Sequence, residues 1–416
     1  MGSRVARLVA VVAAVLAVIA GSAQTVSGPI VVLISFDGWR WDYMDRMEVP
    51  HLRALAVRGV RADGLISSFP SKTFPNHYTL VTGLYPEHHG IVSNVIAEPG
   101  FRERFTMNSQ TARSARWWGG EPLWNTAMFQ GRRAASMFWP GSEAPIGGQH
   151  PTYWKPYDES MPNAARVAQV LEWLALPADQ QPAFVTLYFS DTDTAGHAHG
   201  PDSVEVRQAA ARLDRMLGEL INGARSLNLM DRLNVVVVSD HGMSQLNGRR
   251  VIYLEDYLDL STVDVIEWSP NLGLAPRSAS VDAVYTALKG KHPSLAIYKR
   301  AETPAHLHYR NNERIPPILG LAEDGWTITT RGMALATRVA GRANGGAHGY
   351  DPTVKSMYGL FVAAGPRIRE GMRTPAFENI HVYNFLCALL DLEPAPNDGD
   401  SNVTREFLRP SPNPNH

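Results

Sequence analysis

Three aspartates and three histidines fall where a chain could gather them for chemistry. Asp37 follows the apolar run PIVVLISF, Asp193 and His197 lie in DTDTAGHAHGP after PAFVTLYFS, Asp240 and His241 follow LNVVVVS, and His348 sits in NGGAHGYDP. Taken singly, each aspartate can be a helix cap or a turn residue. Taken together, carboxylates brought into one crevice repel strongly unless a cation neutralises them. His197 is four residues after Asp193, a spacing that lets both side chains reach one ion from a helical turn or a tight loop. Asp240 and His241 are adjacent and can share an ion only where the backbone bends, as Gly242 would permit. The glycines around His348 allow close approach to a ligand. Oxygen and imidazole donors without thiolate suit Zn²⁺ best, with Mn²⁺ or Fe also possible. Six such ligands divide into two sites with open positions, the composition of a two-metal hydrolytic centre with ions about 4 Å apart.

A reactive hydroxyl is available nearby in sequence. The stretch FPSKTFPNHYTLVTG carries Lys72 and Thr73 just before a Phe-Pro pair, with no acid to build a proton relay. Pro75 suits the first turn of a helix, which places Thr73 at or beside a helix N-terminus where backbone N–H groups favour a phosphate. Thr73 reads equally well as a plain N-cap. Only coordination to a dication would make its hydroxyl a nucleophile near neutral pH. Asn94, in HGIVSNV, offers a neutral donor for a phosphoryl oxygen.

These residues need a scaffold that brings distant strand ends together. The runs PIVVLISFDG, PAFVTLYFSD, LNVVVVSDHG and YGLFVAAGP are continuously apolar, as expected of strands buried on both faces of a largely parallel sheet. Between them, stretches such as VPHLRALAVRG and SVEVRQAAARLDRMLGELINGARSL have helical periodicity. The order implies an α/β sandwich with ligands at the carboxyl edge of the sheet. Residues 251–339 are short and mixed and read as a smaller β-containing insertion within a domain spanning 28–395; residues 396–416 read as a C-terminal tail.

Lys+Arg number 39 and Asp+Glu 40, so no global field draws the chain to nucleic acid or anionic lipid, and an anionic substrate must be held locally. Residues 1–23, with Arg4 and Arg7 before an apolar run and then small residues, read as a cleaved secretory signal. A periplasmic or secreted protein follows, with no stable membrane span after cleavage. The lone Cys387 lies in the helical pattern VYNFLCALL and excludes an internal disulfide.

The ordered motifs ISFDGWR, KTFPNHYTLVTGLYPEHHGIVSN, MFWPGS, DTAGHAHGP, SDHGM and AHGYDP resemble those of the nucleotide pyrophosphatase/phosphodiesterases, within the alkaline phosphatase superfamily. The resemblance implies an alkaline phosphatase-like sandwich with Thr73 as nucleophile. One zinc would be held by Asp37, Asp240 and His241 near Thr73, and a second by Asp193, His197 and His348. Asn94 and the Thr73 N–H would steady the phosphoryl oxygen. Phe74 and Tyr157 match aromatics that sandwich a base in nucleotide-cleaving relatives, with Trp139 and Tyr188 as further walls. The residues before Asp193, YFSDT, depart from the pattern of animal relatives, so Asp191 is not taken as a ligand.

The implied reaction is hydrolysis of a small nucleotide or other phosphodiester through a covalent threonine intermediate, with release of nucleoside 5′-monophosphate, by a monomer or simple homo-oligomer. Cleavage of choline lysophospholipids at the same centre is the first alternative. A sulfatase is excluded because no Cys or Ser stands at position 73. A phosphomonoesterase lacks an identifiable extra cation for the dianion. A zinc- or nucleotide-binding module without catalysis would not need the hydroxyl.

Overall fold

The computed structural model describes residues 28–107 and 109–410; the expected secretory signal and the final SPNPNH lie outside them. Eight strands form the main sheet: β1 (Ile30–Phe36), β2 (Val60–Ala62), β3 (Ala134–Met137), β4 (Tyr153–Trp154), β5 (Phe184–Phe189), β6 (Leu233–Val238), β7 (Phe361–Ala364) and β8 (Met372–Thr374). Their order is β8-β2-β7-β6-β1-β5-β3-β4. β1 lies at the centre and pairs in parallel with β5 and β6. β3 and β4 continue the parallel array outward from β5. The last of the four apolar runs, in β7, is antiparallel to both β6 and β2.

Every residue of β1 is buried. Val31 and Leu33 face one core, and Ile30, Val32 and Ile34 face the other, which is why the run shows no alternation. The first core holds α2 (Thr73–Thr82) and α6 (Val382–Leu390). The second holds α1 (Pro50–Val57), α3 (Asn163–Leu174) and the long α5 (Val204–Ser226), which is capped by Ser203. α4 (Asp191–His199) follows β5 directly. Cys387 is buried in α6, where desolvation pushes its thiol up to about 12. No helix among the described residues is long and apolar enough to cross a membrane.

Within residues 251–339, the strands Val263–Glu267, Asn271–Pro276, Leu295–Lys299 and Ile318–Ala322 form a separate antiparallel sheet over its own apolar cluster. The stretch after residue 395, expected to be a tail, packs back instead. Phe407 is fully buried against Phe361, Phe377 and Phe385, which a polar, proline-rich flank does not signal.

The buried Glu87 ties the segment after the insertion's third strand to the lobe carrying α2. Its carboxylate accepts the Arg310 and Asn311 N–H groups at 2.6 and 2.8 Å, and the Asn311 amide at 3.2 Å. Removing it leaves three donors without their charged acceptor. Glu87→Ala is therefore expected to lose about 2 to 3 kcal/mol of stability in urea unfolding, and an unchanged midpoint would contradict the tie.

Candidate active site

β5, β1 and β6 are adjacent and parallel, and their ends are level: Phe36 pairs with Phe189, and Ser35 with Val238. Asp37, the α4 residues and Asp240–His241 therefore emerge at one edge. Gly38 adopts φ +66, and a side chain there would meet the Asp193 Cα at 2.8 Å, so glycine lets α4 press against the β1 turn. Asp193 and His197 sit four apart on that helix, so the spacing resolves as a helical turn. Gly242 acts differently from expectation. It has no positive φ, but a Cβ would lie 2.1 Å from the Ser356 carbonyl, so glycine is required by close packing.

The six expected ligands meet. Asp193, His197 and His348 place ligand atoms within 4.8 Å of one another, and Asp37, Asp193 and His241 do the same, which joins the two expected sites into one cluster. His241 Nε2 lies 2.9 Å from Asp240 Oδ2 and 3.6 Å from Asp37 Oδ1. The His241 and His348 rings stack at 3.5 Å.

Each of these imidazoles is oriented through Nδ1, which donates to a backbone carbonyl: Gly242 at 2.8 Å for His241, Gly346 at 2.9 Å for His197 and Ser71 at 2.8 Å for His348. That leaves each Nε2 facing the cluster. The Nε2 atoms of His197 and His348 confront each other at 3.1 Å. Asp37 Oδ1, Asp193 Oδ1 and Asp240 Oδ2 are buried without hydrogen-bond partners. Opposed ring nitrogens beside orphaned carboxylate oxygens fit cations held between them.

The electrostatics fit the same reading. Burial, then the charges of Asp240 and Asp193, push Asp37 well above the usual carboxylate range. For Asp240 burial pulls upward, but the charges of His241 and His77 hold it well below; burial lowers His241, yet Asp240 raises it overall, so this pair holds a proton that a bound cation would displace. Burial, then His241 and His197, keeps His348 well below its ordinary value and so neutral, as a ligand must be.

Thr73 opens α2 as its first helical residue, and Lys72 takes the cap position, so Thr73 is not an N-cap. In the first turn Phe74 N–H donates to Asn94 Oδ1 at 2.9 Å, Pro75 has no N–H, and Asn76 N–H donates to the Lys72 carbonyl. The Thr73 N–H is the donor left for a ligand. Thr73 Oγ1 lies 3.4 Å from His241 Nε2, at the cluster's rim. Because Asn94 spends its oxygen on Phe74, its amide NH₂ is the group left to offer.

A cavity of about 290 Å³ adjoins Thr73, Asp37 and Asp193. Phe74, Trp139, Tyr157 and Tyr188 all line it, together with Trp118 of the aromatic segment RWWGGEPLW. Asn94 does not line it. Tyr188 has a second task, since its hydroxyl donates to Asp37 Oδ2 at 2.6 Å. Asp191 turns away from the cluster toward Asn163 and Arg212.

His77 was not signalled as a site residue, although it stands four residues after Thr73 on the same helix face. Its Nδ1 donates to the Thr73 carbonyl at 2.8 Å, so its Nε2 accepts from Ser35 Oγ at 2.7 Å. It also groups with Asp37 and Asp240. With both nitrogens engaged it orients neighbours, whereas His241 turns its Nε2 to Asp37, Asp240 and Thr73.

The family described as type I phosphodiesterase / nucleotide pyrophosphatase matches residues 31–351. A venom phosphodiesterase of Crotalus durissus collilineatus is 39% identical over 393 residues, covering 91% of this chain and 46% of that protein. Ectonucleotide pyrophosphatase/phosphodiesterase family member 1 of Homo sapiens is 37% identical over 393 residues, covering 92% and 42%. The chain thus spans under half the length of these relatives. The solved structure of murine ectonucleotide pyrophosphatase/phosphodiesterase 5, an inactive threonine-to-alanine form in complex with AMP, superposes with a TM-score of 0.86 at 34% identity, covering 92% of this chain and 100% of that one. With the sheet, the cluster and the hydroxyl at a helix start all on one edge, these likenesses place the chain in the type I phosphodiesterase/nucleotide pyrophosphatase family.

Proposed function

We propose that the chain is a two-zinc phosphodiesterase that hydrolyses nucleotide phosphodiester or phosphoanhydride bonds, releasing nucleoside 5′-monophosphates through a covalent threonine intermediate. The observation that carries this reading is the meeting of six ligand side chains beside a threonine hydroxyl at a helix N-terminus. Asp37, Asp240 and His241 would hold one ion, and Asp193, His197 and His348 the other. Bound Zn²⁺, favoured by the oxygen and imidazole donor set, would lower the pKa of the threonine hydroxyl and draw charge from the phosphoryl group.

The protein's own groups supply the remaining steps. Thr73 Oγ1 attacks phosphorus as the bond to the leaving oxygen breaks, and water then hydrolyses the nucleotidyl-threonine. The Thr73 N–H and the Asn94 amide NH₂ donate to the phosphoryl oxygens. Phe74 and Tyr157, with Trp139 and Tyr188, wall a cavity suited to stacking a base. The murine relative, solved in complex with AMP, supports a nucleotide as the class of ligand. The catalytic domain would span 28–395 with an insertion at 251–339, exported by the segment 1–23 to a periplasm or the exterior.

Thr73→Ala is expected to keep its metal content, measured by elemental analysis, and to lose at least about 10³-fold in turnover of a chromogenic nucleotide ester. Near-normal turnover would remove Thr73 as nucleophile. The unaltered protein is expected to cleave that nucleotide ester at least about tenfold faster than lysophosphatidylcholine at equal concentration. The reverse preference would favour the lysophospholipid reading.

A further inference from the structure

An ion pair from the inserted sheet reaches the backbone on both sides of the proposed nucleophile. Lys72, the cap residue before Thr73, pairs through Nζ with Glu267 Oε1, across 195 residues of sequence. The side chains are only 9% and 12% exposed. The other Glu267 oxygen accepts Ser93 Oγ at 2.5 Å and Asn271 Nδ2 at 3.0 Å. Ser93 precedes Asn94, whose Oδ1 holds the Phe74 N–H. A closed ring results: Lys72, Glu267, Ser93, Asn94, Phe74 and back through Thr73. Glu267 reaches this position at a slip in strand register between Val265 and Glu267, a bulge that redirects a side chain.

A buried ion pair contributes little net stability, because desolvation offsets the attraction. What it can supply is a fixed geometry. We propose that Glu267 is a positioning residue, clamping Lys72 and Ser93 so that the Thr73 hydroxyl and the Asn94 amide are held in register toward one phosphoryl group. The clamp makes the inserted sheet a working part of the site. The proposal rests on Thr73 acting as the nucleophile. Small displacements of reacting groups cost rate steeply while leaving ground-state binding nearly intact, so the effect should appear in kcat.

The test uses the full metal-loaded protein carrying Glu267→Gln, Lys72→Met, both together, and Ser93→Ala, with a nucleotide ester as probe. Each of the first two is expected to lower kcat about 10- to 100-fold with KM within about threefold and metal content unchanged. The double variant is expected to be no worse than the poorer single, because both remove one interaction. Ser93→Ala breaks a single arm and is expected to lower kcat about 3- to 10-fold. Amide exchange in the peptide spanning Lys72 to Asn94 is expected to speed up in all four. Unchanged kcat, multiplying losses in the double variant, or losses that track metal content or unfolding would overturn the clamp. If Glu267→Gln does not fold, Ser93→Ala with unaltered kcat and exchange overturns it alone. A fully active Thr73→Ala would instead overturn the nucleophile reading, so the two failures are distinguishable.

Discussion

Three carboxylates, each with a buried oxygen, at the edge of one sheet set the terms for everything around them. Asp37, Asp193 and Asp240 each keep an oxygen without a hydrogen-bond partner, and the imidazoles among them turn their Nε2 atoms inward. Such an arrangement is unfavourable by itself, since desolvation and mutual repulsion raise its free energy. Cations reverse the sign, and metal binding then becomes part of the stability of the edge. Much of the local architecture serves this arrangement: the level ends of β5, β1 and β6, the glycine contact at Gly38, and the carbonyls that hold each Nδ1.

The same edge aims one helix at the cluster. α2 is almost wholly buried, so its first turn cannot drift. Asn76 locks the preceding loop, taking the Ser68 N–H on its oxygen and reaching the Pro70 and Lys72 carbonyls with its amide. His77 anchors the Thr73 carbonyl to Ser35 of β1. On the far side, Glu267 engages Lys72 and Ser93. Thr73 is thereby held from the sheet, from its own loop and from the inserted sheet at once, an arrangement suited to a reaction in which positioning and electrostatics supply most of the rate.

How much of this was legible in the sequence depends on whether a feature is local. Continuous apolar runs ending in acids identify buried parallel strands and their ligand edge, and the four-residue step from Asp193 to His197 identifies a shared helix face. Pro75 places the start of α2 correctly to within a residue, though not the displacement of Thr73 from the cap position. The reversed direction of β7 was not legible, because a strand buried on both faces reads alike either way. The engagement of Glu267 with Lys72 joins residues 195 apart in sequence, and a lone glutamate in a mixed segment carries no periodic signal. Tyr188 reads as an aromatic wall, and only geometry shows its hydroxyl on Asp37.

Anomalous diffraction at the zinc absorption edge, from crystals of protein loaded with Zn²⁺, tests the two-cation reading most directly. Two peaks about 4 Å apart are predicted, one among Asp37, Asp240 and His241 and the other among Asp193, His197 and His348. A single peak, none at this edge of the sheet, or an ion bound by His77 in place of His241 would contradict it.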